Sequence, residues 1–232
     1  MELCILIPAK NEAKSLPRTI VNIQKNLPNS ISSNILVVND HSEDNTVSVV
    51  KNLSIKYKNV SFVNNELATG VGNAIRFGLM KWQGDILAIV MADNCDSPKD
   101  ISAAFYKIQS GEYNCVFGSR FIRGAKVAGY PLIKLFLNRL FNYIVRCLFS
   151  FEYNDFTNLF KVYSREVINS IKPLESQGFS IGLEMSLKTF RKAHNIATVP
   201  ISWRRRTRGA SKFSLIKQSK SFFLVLKNEL VK

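Results

Sequence analysis

Histidine is nearly absent from this chain: its 232 residues include only His41 and His194. A zinc site built on imidazoles is therefore not expected, and no convincing histidine general base is in view. Cysteine is scarce as well. Cys4, Cys95, Cys115 and Cys147 are scattered with no CxxC pair, so they read as reduced core residues of a cytosolic protein, not as disulfide partners or metal ligands. No run of 18 uncharged apolar residues occurs, so no membrane-spanning helix is expected. The N-terminus carries Glu2 early and turns polar at Lys10 and Asn11, unlike a signal peptide. Internal repeats and low-complexity tracts are missing. A composition with 46% hydrophobic and 21% charged residues belongs to a globular chain rather than a disordered one.

Acidic residues are lacking in one half only. Residues 1–112 carry 11 Lys and Arg against 11 Asp and Glu, whereas residues 113–232 carry 21 against 6, which is the whole net charge of +15. Between Met185 and Asn228 there are 11 cations and no acid. A basic half implies an anionic partner: nucleic acid, a phosphorylated substrate or an anionic membrane leaflet.

The first half alternates short apolar runs with helical spacing, the pattern of a parallel α/β sheet. Strands are expected at Leu3–Pro8, Ile35–Val38, Val60–Val63, Asp85–Met91 and Cys115–Gly118. Helices are expected at Lys14–Leu27, after Ser42 as a cap, at Asn73–Lys81 behind Gly70-Val71-Gly72, and from Pro98. Polar residues gather where strands end: Lys10 to Glu12, Asn39-Asp40 and Asp93 to Asp96. That edge of an open α/β sheet is where ligands bind. The second half is less regular. Pro131–Phe151 reads as a long amphipathic helix whose polar residues Lys134, Asn138, Asn142, Arg146 and Ser150 recur every four positions. Ile196–Arg205 reads as one or two strands and Phe213–Lys232 as a C-terminal helix.

Six motifs stand in one order: Ile7-Pro8-Ala9-Lys10-Asn11-Glu12; Val37 to Thr46 with Asn39-Asp40; Gly70-Val71-Gly72-Asn73-Ala74; Met91–Pro98; Gly118-Ser119-Arg120; and Arg208-Gly209-Ala210-Ser211-Lys212. This order resembles the family 2 glycosyltransferases, in their dolichol-phosphate mannose synthase-like (polyprenyl-phosphate glycosyltransferase) branch, over nearly the whole chain. The resemblance implies a Rossmann-like nucleotide-diphosphosugar transferase fold of the A type, with a mainly parallel central sheet and amphipathic interface helices. It implies one domain over residues 1–232, in which 1–118 bind the nucleotide sugar and 119–232 form a basic, membrane-facing acceptor half.

On this resemblance Pro8, Ala9, Asn11, Glu12, Asp40, Gly72, Asp93 and Asn94 bind the donor. Glu12 has a competing reading as a first-turn helix acid. Asp93, Asn94 and Asp96 would hold Mg²⁺ or Mn²⁺, which neutralises a departing diphosphate. The family's Asp-x-Asp falls here on Ala92 and Asn94, so Asp93 and Asp96 take its place, and Asp96 could instead cap the helix at Pro98. Arg120, Arg139, Arg208 and Lys212 would grip phosphates, with Asp93, Arg120, Arg208 and Lys212 carrying catalysis. Asp155 could orient an arginine, contact the sugar, or form a structural ion pair.

A lipid phosphate is already an anionic nucleophile and needs no base, so the implied reaction is inverting transfer from a GDP- or UDP-sugar to a polyprenyl phosphate at the cytosolic membrane face. A soluble or polysaccharide acceptor would instead call for a carboxylate base, Asp155 or Glu184. A basic nucleic-acid module lacks the aromatic interleaving of a stacking platform, so no nucleic-acid partner is expected, and the altered acidic motif leaves an inactive scaffold as a further reading. Pro131–Phe151 carries Lys134, Arg139 and Arg146 along its length. That suits the interface plane of a membrane, or packing on a membrane-protein partner, better than insertion.

Overall fold

The computed structural model describes residues 1–204 and 215–231. Its centre is a seven-stranded sheet in the order β3-β2-β1-β4-β7-β5-β8. The strands are β1 (Leu3–Ala9), β2 (Ser33–Asn39), β3 (Val60–Asn64), β4 (Ile86–Ile89), β5 (Cys115–Ser119), β7 (Lys161–Ser164) and β8 (Ile196–Pro200). β1 lies between β2 and β4, in parallel register with Leu3 opposite both Ser33 and Ile86. Only β7 runs antiparallel, to β4 on one side and β5 on the other. A small parallel pair, β6 (Lys126–Ala128) with β9 (Ser202–Arg204), lies beyond the edge.

Every residue of β1 is buried. That is the expected state of a parallel strand covered on both faces. The helices α1 (Leu16–Asn26), α2 (Thr46–Lys56) and α4 (Pro98–Gln109) cover one face through Leu16, Ile20, Val50, Ile101 and Phe105. The other face is covered by α3 (Val71–Lys81), α6 (Arg165–Ser170), α7 (Ile181–Arg191) and α8 (Leu215–Val231). The long helix α5 (Leu132–Phe149) adds Val145 to that second core.

Two expectations are corrected. Ser42 does not cap α2. Its Oγ accepts the Asn11 N–H at 3.0 Å, while Asp44 Oδ1 takes the Thr46 N–H at 2.9 Å beside the capping residue Asn45. The fourth strand stops at Ile89, because Met91 N–H is turned onto Asp96 Oδ2 at 3.1 Å. Of the one or two strands expected after Asn195, the described residues form two, Ile196–Pro200 and Ser202–Arg204, in two different sheets.

Candidate donor and acceptor site

The chain turns sharply as it leaves β1, β2 and β4. Asn11, His41 and Asn94 have φ of 49°, 52° and 58°, the left-handed region that Asn and His tolerate best among residues with a side chain. These turns throw the polar residues onto one rim. A cavity of about 230 Å³ opens there, lined by Pro8, Ala9, Lys10, Glu12, Asp40 and Met91 on the sheet side, and by Gly70, Phe179 and Gln218 opposite.

Within that cavity the acids also hold the protein together. Asp40 accepts the Gly70 N–H on both carboxylate oxygens, at 2.9 and 3.1 Å, and the Asn65 amide at 2.9 Å. Glu12 caps its own turn: its carboxylate accepts the Ser15 hydroxyl, and its N–H donates to Thr46 Oγ1 at 2.8 Å. Two expected donor residues serve elsewhere. Asn11 does not line the cavity, because its Oδ1 accepts the Glu43 N–H at 2.8 Å and pins the loop before α2. Gly72 gives its N–H to Gln177 O at 2.8 Å, and a Cβ there would lie 2.4 Å from Ser176 O. Its missing side chain makes room for the 175–179 loop, so the first turn of α3 is capped by protein.

That loop was invisible to sequence reading, and Glu184 on α7 builds it. Its carboxylate accepts the Glu175 and Ser176 N–H groups at 2.9 and 2.8 Å and the Lys188 ammonium at 2.7 Å. Burial works against the charged form, yet Lys188 and the amides outweigh it and hold the Glu184 carboxyl below its ordinary value. Glu184 thus serves as a structural anion that holds the 175–176 backbone and Lys188.

The acidic loop after β4 brings Asp93 and Asp96 together. Asp93 Oδ1 accepts the Cys95 N–H at 3.2 Å and Asp96 Oδ2 that of Met91. Burial first, and the Asp93 carboxylate second, push the Asp96 carboxyl up to about 7. Two neighbouring carboxylates that repel each other fit a divalent ion that also takes substrate oxygens and water. Asn94 is exposed and its Oδ1 accepts the Asn22 amide of α1 at 3.0 Å, so it faces away from such an ion. Among the described residues no group of three or more His, Cys, Asp or Glu could hold a metal.

Arg120, at the end of β5, is not a free phosphate clamp. Its Nε and one terminal nitrogen grip Asp155 at 2.8 and 2.6 Å, and its backbone N–H reaches the same carboxylate at 2.9 Å. Asp155 is fully buried. Its pairing with Arg120 fits both the arginine orienter and the structural ion pair. Two asparagines of α5 hold this loop: Asn138 donates to Thr157 Oγ1 at 2.9 Å, and Asn142 Oδ1 accepts the Phe156 N–H at 2.6 Å. Below it Lys161 of β7 is buried, donating to the carbonyls of Phe156 and Asn158. Burial lowers its ammonium to about 7. Arg139 is exposed with its guanidinium 4.8 Å from the Phe121 ring centre. Arg208 and Lys212 lie outside the described residues.

The polar stripe of α5 turns inward at Asn138 and Asn142, and its apolar face turns out. Leu132, Ile133, Phe136 and Tyr143 are 80, 78, 67 and 65% exposed. Phe141 packs on Phe222 of α8 at 5.3 Å, and Phe223 and Leu224 of α8 are exposed. No described helix is long and apolar enough to cross a membrane.

The sequence pattern of the family described as "Glycosyl transferase family 2" matches residues 4–172. The undecaprenyl-phosphate mannosyltransferase of Micrococcus luteus is 26% identical over 220 residues, 92% of this chain and 88% of that protein. The polyprenol monophosphomannose synthase of Mycolicibacterium smegmatis is 26% identical over 216 residues, 90% of this chain and 80% of that one. Among solved structures, glucosyl-3-phosphoglycerate synthase from Mycobacterium tuberculosis, in complex with Mn²⁺, UDP and phosphoglyceric acid, superposes with a TM-score of 0.78 at 18% identity. That superposition spans 99% of this chain and 78% of the other.

Proposed function

The chain belongs to glycosyl transferase family 2, and we propose that it is a single-domain, inverting enzyme that moves a sugar from a GDP- or UDP-sugar to a polyprenyl phosphate at the cytosolic face of a membrane. The observation that carries this reading is the placement of one rim: the cavity of Glu12 and Asp40 and the Asp93–Asp96 loop stand at the ends of adjacent strands, while α5, in the basic half of the sequence, presents an apolar face. The names of the Micrococcus and Mycolicibacterium relatives point the same way.

Asp93 and Asp96 would hold Mg²⁺ or Mn²⁺, whose charge would neutralise the departing diphosphate. The chain's own residues do the rest. Pro8, Ala9, Glu12 and Asp40 wall the nucleotide, and the 175–179 loop closes the opposite side. A phosphate oxygen of the lipid attacks the anomeric carbon as the bond to the diphosphate breaks, with inversion. That oxygen is anionic before it reacts, so no proton is removed. The two carboxylates that might have served as a base for a hydroxyl acceptor, Asp155 and Glu184, are both consumed by internal pairing, which favours the phosphate acceptor over the soluble or polysaccharide one. Arg139, Arg208 and Lys212 supply the acceptor-side charge.

The outward apolar face of α5 and α8 supports a peripheral seat on anionic lipid. The experiment is a panel of nucleotide sugars with a polyprenyl phosphate in mixed vesicles, with and without Mn²⁺. Sugar should pass into the organic-extractable fraction in the presence of the metal. Hydrolysis or transfer to soluble acceptors alone would defeat the proposal.

A further inference from the structure

Phe121, Tyr130 and Trp203 make an aromatic shelf that the reaction as described does not use. Tyr130 stands 5.1 Å from Trp203 and 6.5 Å from Phe121, ring centre to ring centre. None of the three belongs to either hydrophobic core, and each is only half-buried. Two guanidiniums lie over them: Arg120 at 5.3 Å from Phe121 and 5.5 Å from Tyr130, and Arg139 at 4.8 Å from Phe121.

The shelf has two ends. One is tied to the acidic loop, since β9 donates Arg204 N–H to Cys95 O at 3.3 Å and Ser202 N–H to Asp100 Oδ2 at 2.6 Å. The other runs directly into α5, whose first residues after Tyr130 and Pro131 are Leu132 and Ile133, the two most exposed large apolar residues of that helix. An apolar surface, cations and the candidate reaction centre are thus joined in one line. A ligand matching this order has an anionic head followed at once by an apolar, unsaturated chain. Aromatic faces offer such a chain large contact area, and the exposed Arg139 guanidinium over the Phe121 ring binds the head.

Resting on the proposed acceptor class, we infer that Phe121, Tyr130 and Trp203 bind the isoprene units nearest the acceptor phosphate, and so make the enzyme prefer a prenylated phosphate over a bare one. α5 then carries the rest of the chain into the lipid surface. Aromatic rings also stack on sugars, so the test must separate acceptor chain from donor sugar.

The full-length enzyme is assayed with dimethylallyl phosphate, geranyl phosphate and a long-chain polyprenyl phosphate, at varied donor. For the unaltered enzyme kcat/KM should rise from the first to the second of these. Trp203→Ala and Tyr130→Ala should lose at least ~10-fold on geranyl and long-chain phosphates, the factor expected for a missing contact face, and little on dimethylallyl phosphate. Donor KM should stay within about twofold, equivalent to less than 0.5 kcal/mol, which also reports an intact fold. Trp203→Phe should recover most of the preference. Equal losses on all three acceptors, or a change confined to donor KM, would overturn the inference. If the unaltered enzyme used no prenyl phosphate, the acceptor class itself would fall, and this inference with it.

Discussion

Replacing Asp155 with alanine removes the partner of a guanidinium that the fold has taken out of water. The Arg120 side chain is 10% exposed and that of Asp155 is not exposed at all. Three donors of Arg120 converge on this one carboxylate. Breaking a buried pair from one side costs about 3–5 kcal/mol, because the remaining charge has no compensation. In a chain of this size each kcal/mol lowers Tm by roughly 2–4 °C, so Asp155→Ala should melt roughly 6–20 °C below the unaltered protein. Asp155→Asn keeps the shape and one acceptor and should fall between the two. Replacing both members, Arg120→Met with Asp155→Leu, should recover much of the stability, since no orphan charge remains. Differential scanning calorimetry on the three variants measures this. A Tm for Asp155→Ala within about 2 °C of the parent, a stability change under roughly 1 kcal/mol, would refute the buried-pair reasoning. Together with lost transfer, that result would return Asp155 to the role of a general base.

Asp93→Asn should lower turnover at least ~100-fold, the scale of one missing electrostatic contact to the leaving group, with Asp96→Asn costing less; titration of activity against Mn²⁺ in folded variants checks both. Lys161 gives a pH signature. Its folded value near 7 lies below the ordinary 10.5, so the unfolded chain binds the extra proton between those values, and the stability owed to this residue rises with pH across that window and is lost as pH falls toward 7. Lys161→Met should therefore compare worse with the parent at pH 9 than at pH 7 in thermal melts, and a constant difference would remove the assignment. Flotation with anionic vesicles should recover the protein in a salt-sensitive manner, and Phe136→Ser with Phe223→Ser should weaken it; failure of the folded parent to float at low salt removes the membrane seat.

The parallel half of the fold was legible because its strands are continuous apolar runs ending at polar turns: Leu3–Ala9 and Ser33–Asn39 differ from their sequence bounds by at most two residues at either end. β7 was not legible. It is four residues long, begins with a lysine, and gains its place only by pairing with β4 and β5, which lie far away in sequence. The amphipathic pattern of α5 was plain, yet periodicity cannot say which face meets the protein. Asn138 and Asn142 settle that by bonding the Asp155–Thr157 loop. At the site, sequence gathers Glu12, Asp40 and Asp93 to one rim because each follows a strand. It could not show that Gly72 accommodates Gln177, which lies in an irregular loop, or that Asn94 bonds Asn22, because the periodicity of α1 does not say which distant loop its polar side chains reach.

The central claim is that the nucleophile is already an anion. The direct measurement is transfer from the same nucleotide sugar to a long-chain polyprenyl phosphate and to the corresponding polyprenol, in vesicles of one composition. The phosphate should accept sugar with inverted anomeric configuration, and the alcohol should accept none above background. Comparable transfer to the alcohol would contradict the claim, because a hydroxyl needs a base, and Asp155 and Glu184, the carboxylates read for that role, are both held in internal ion pairs.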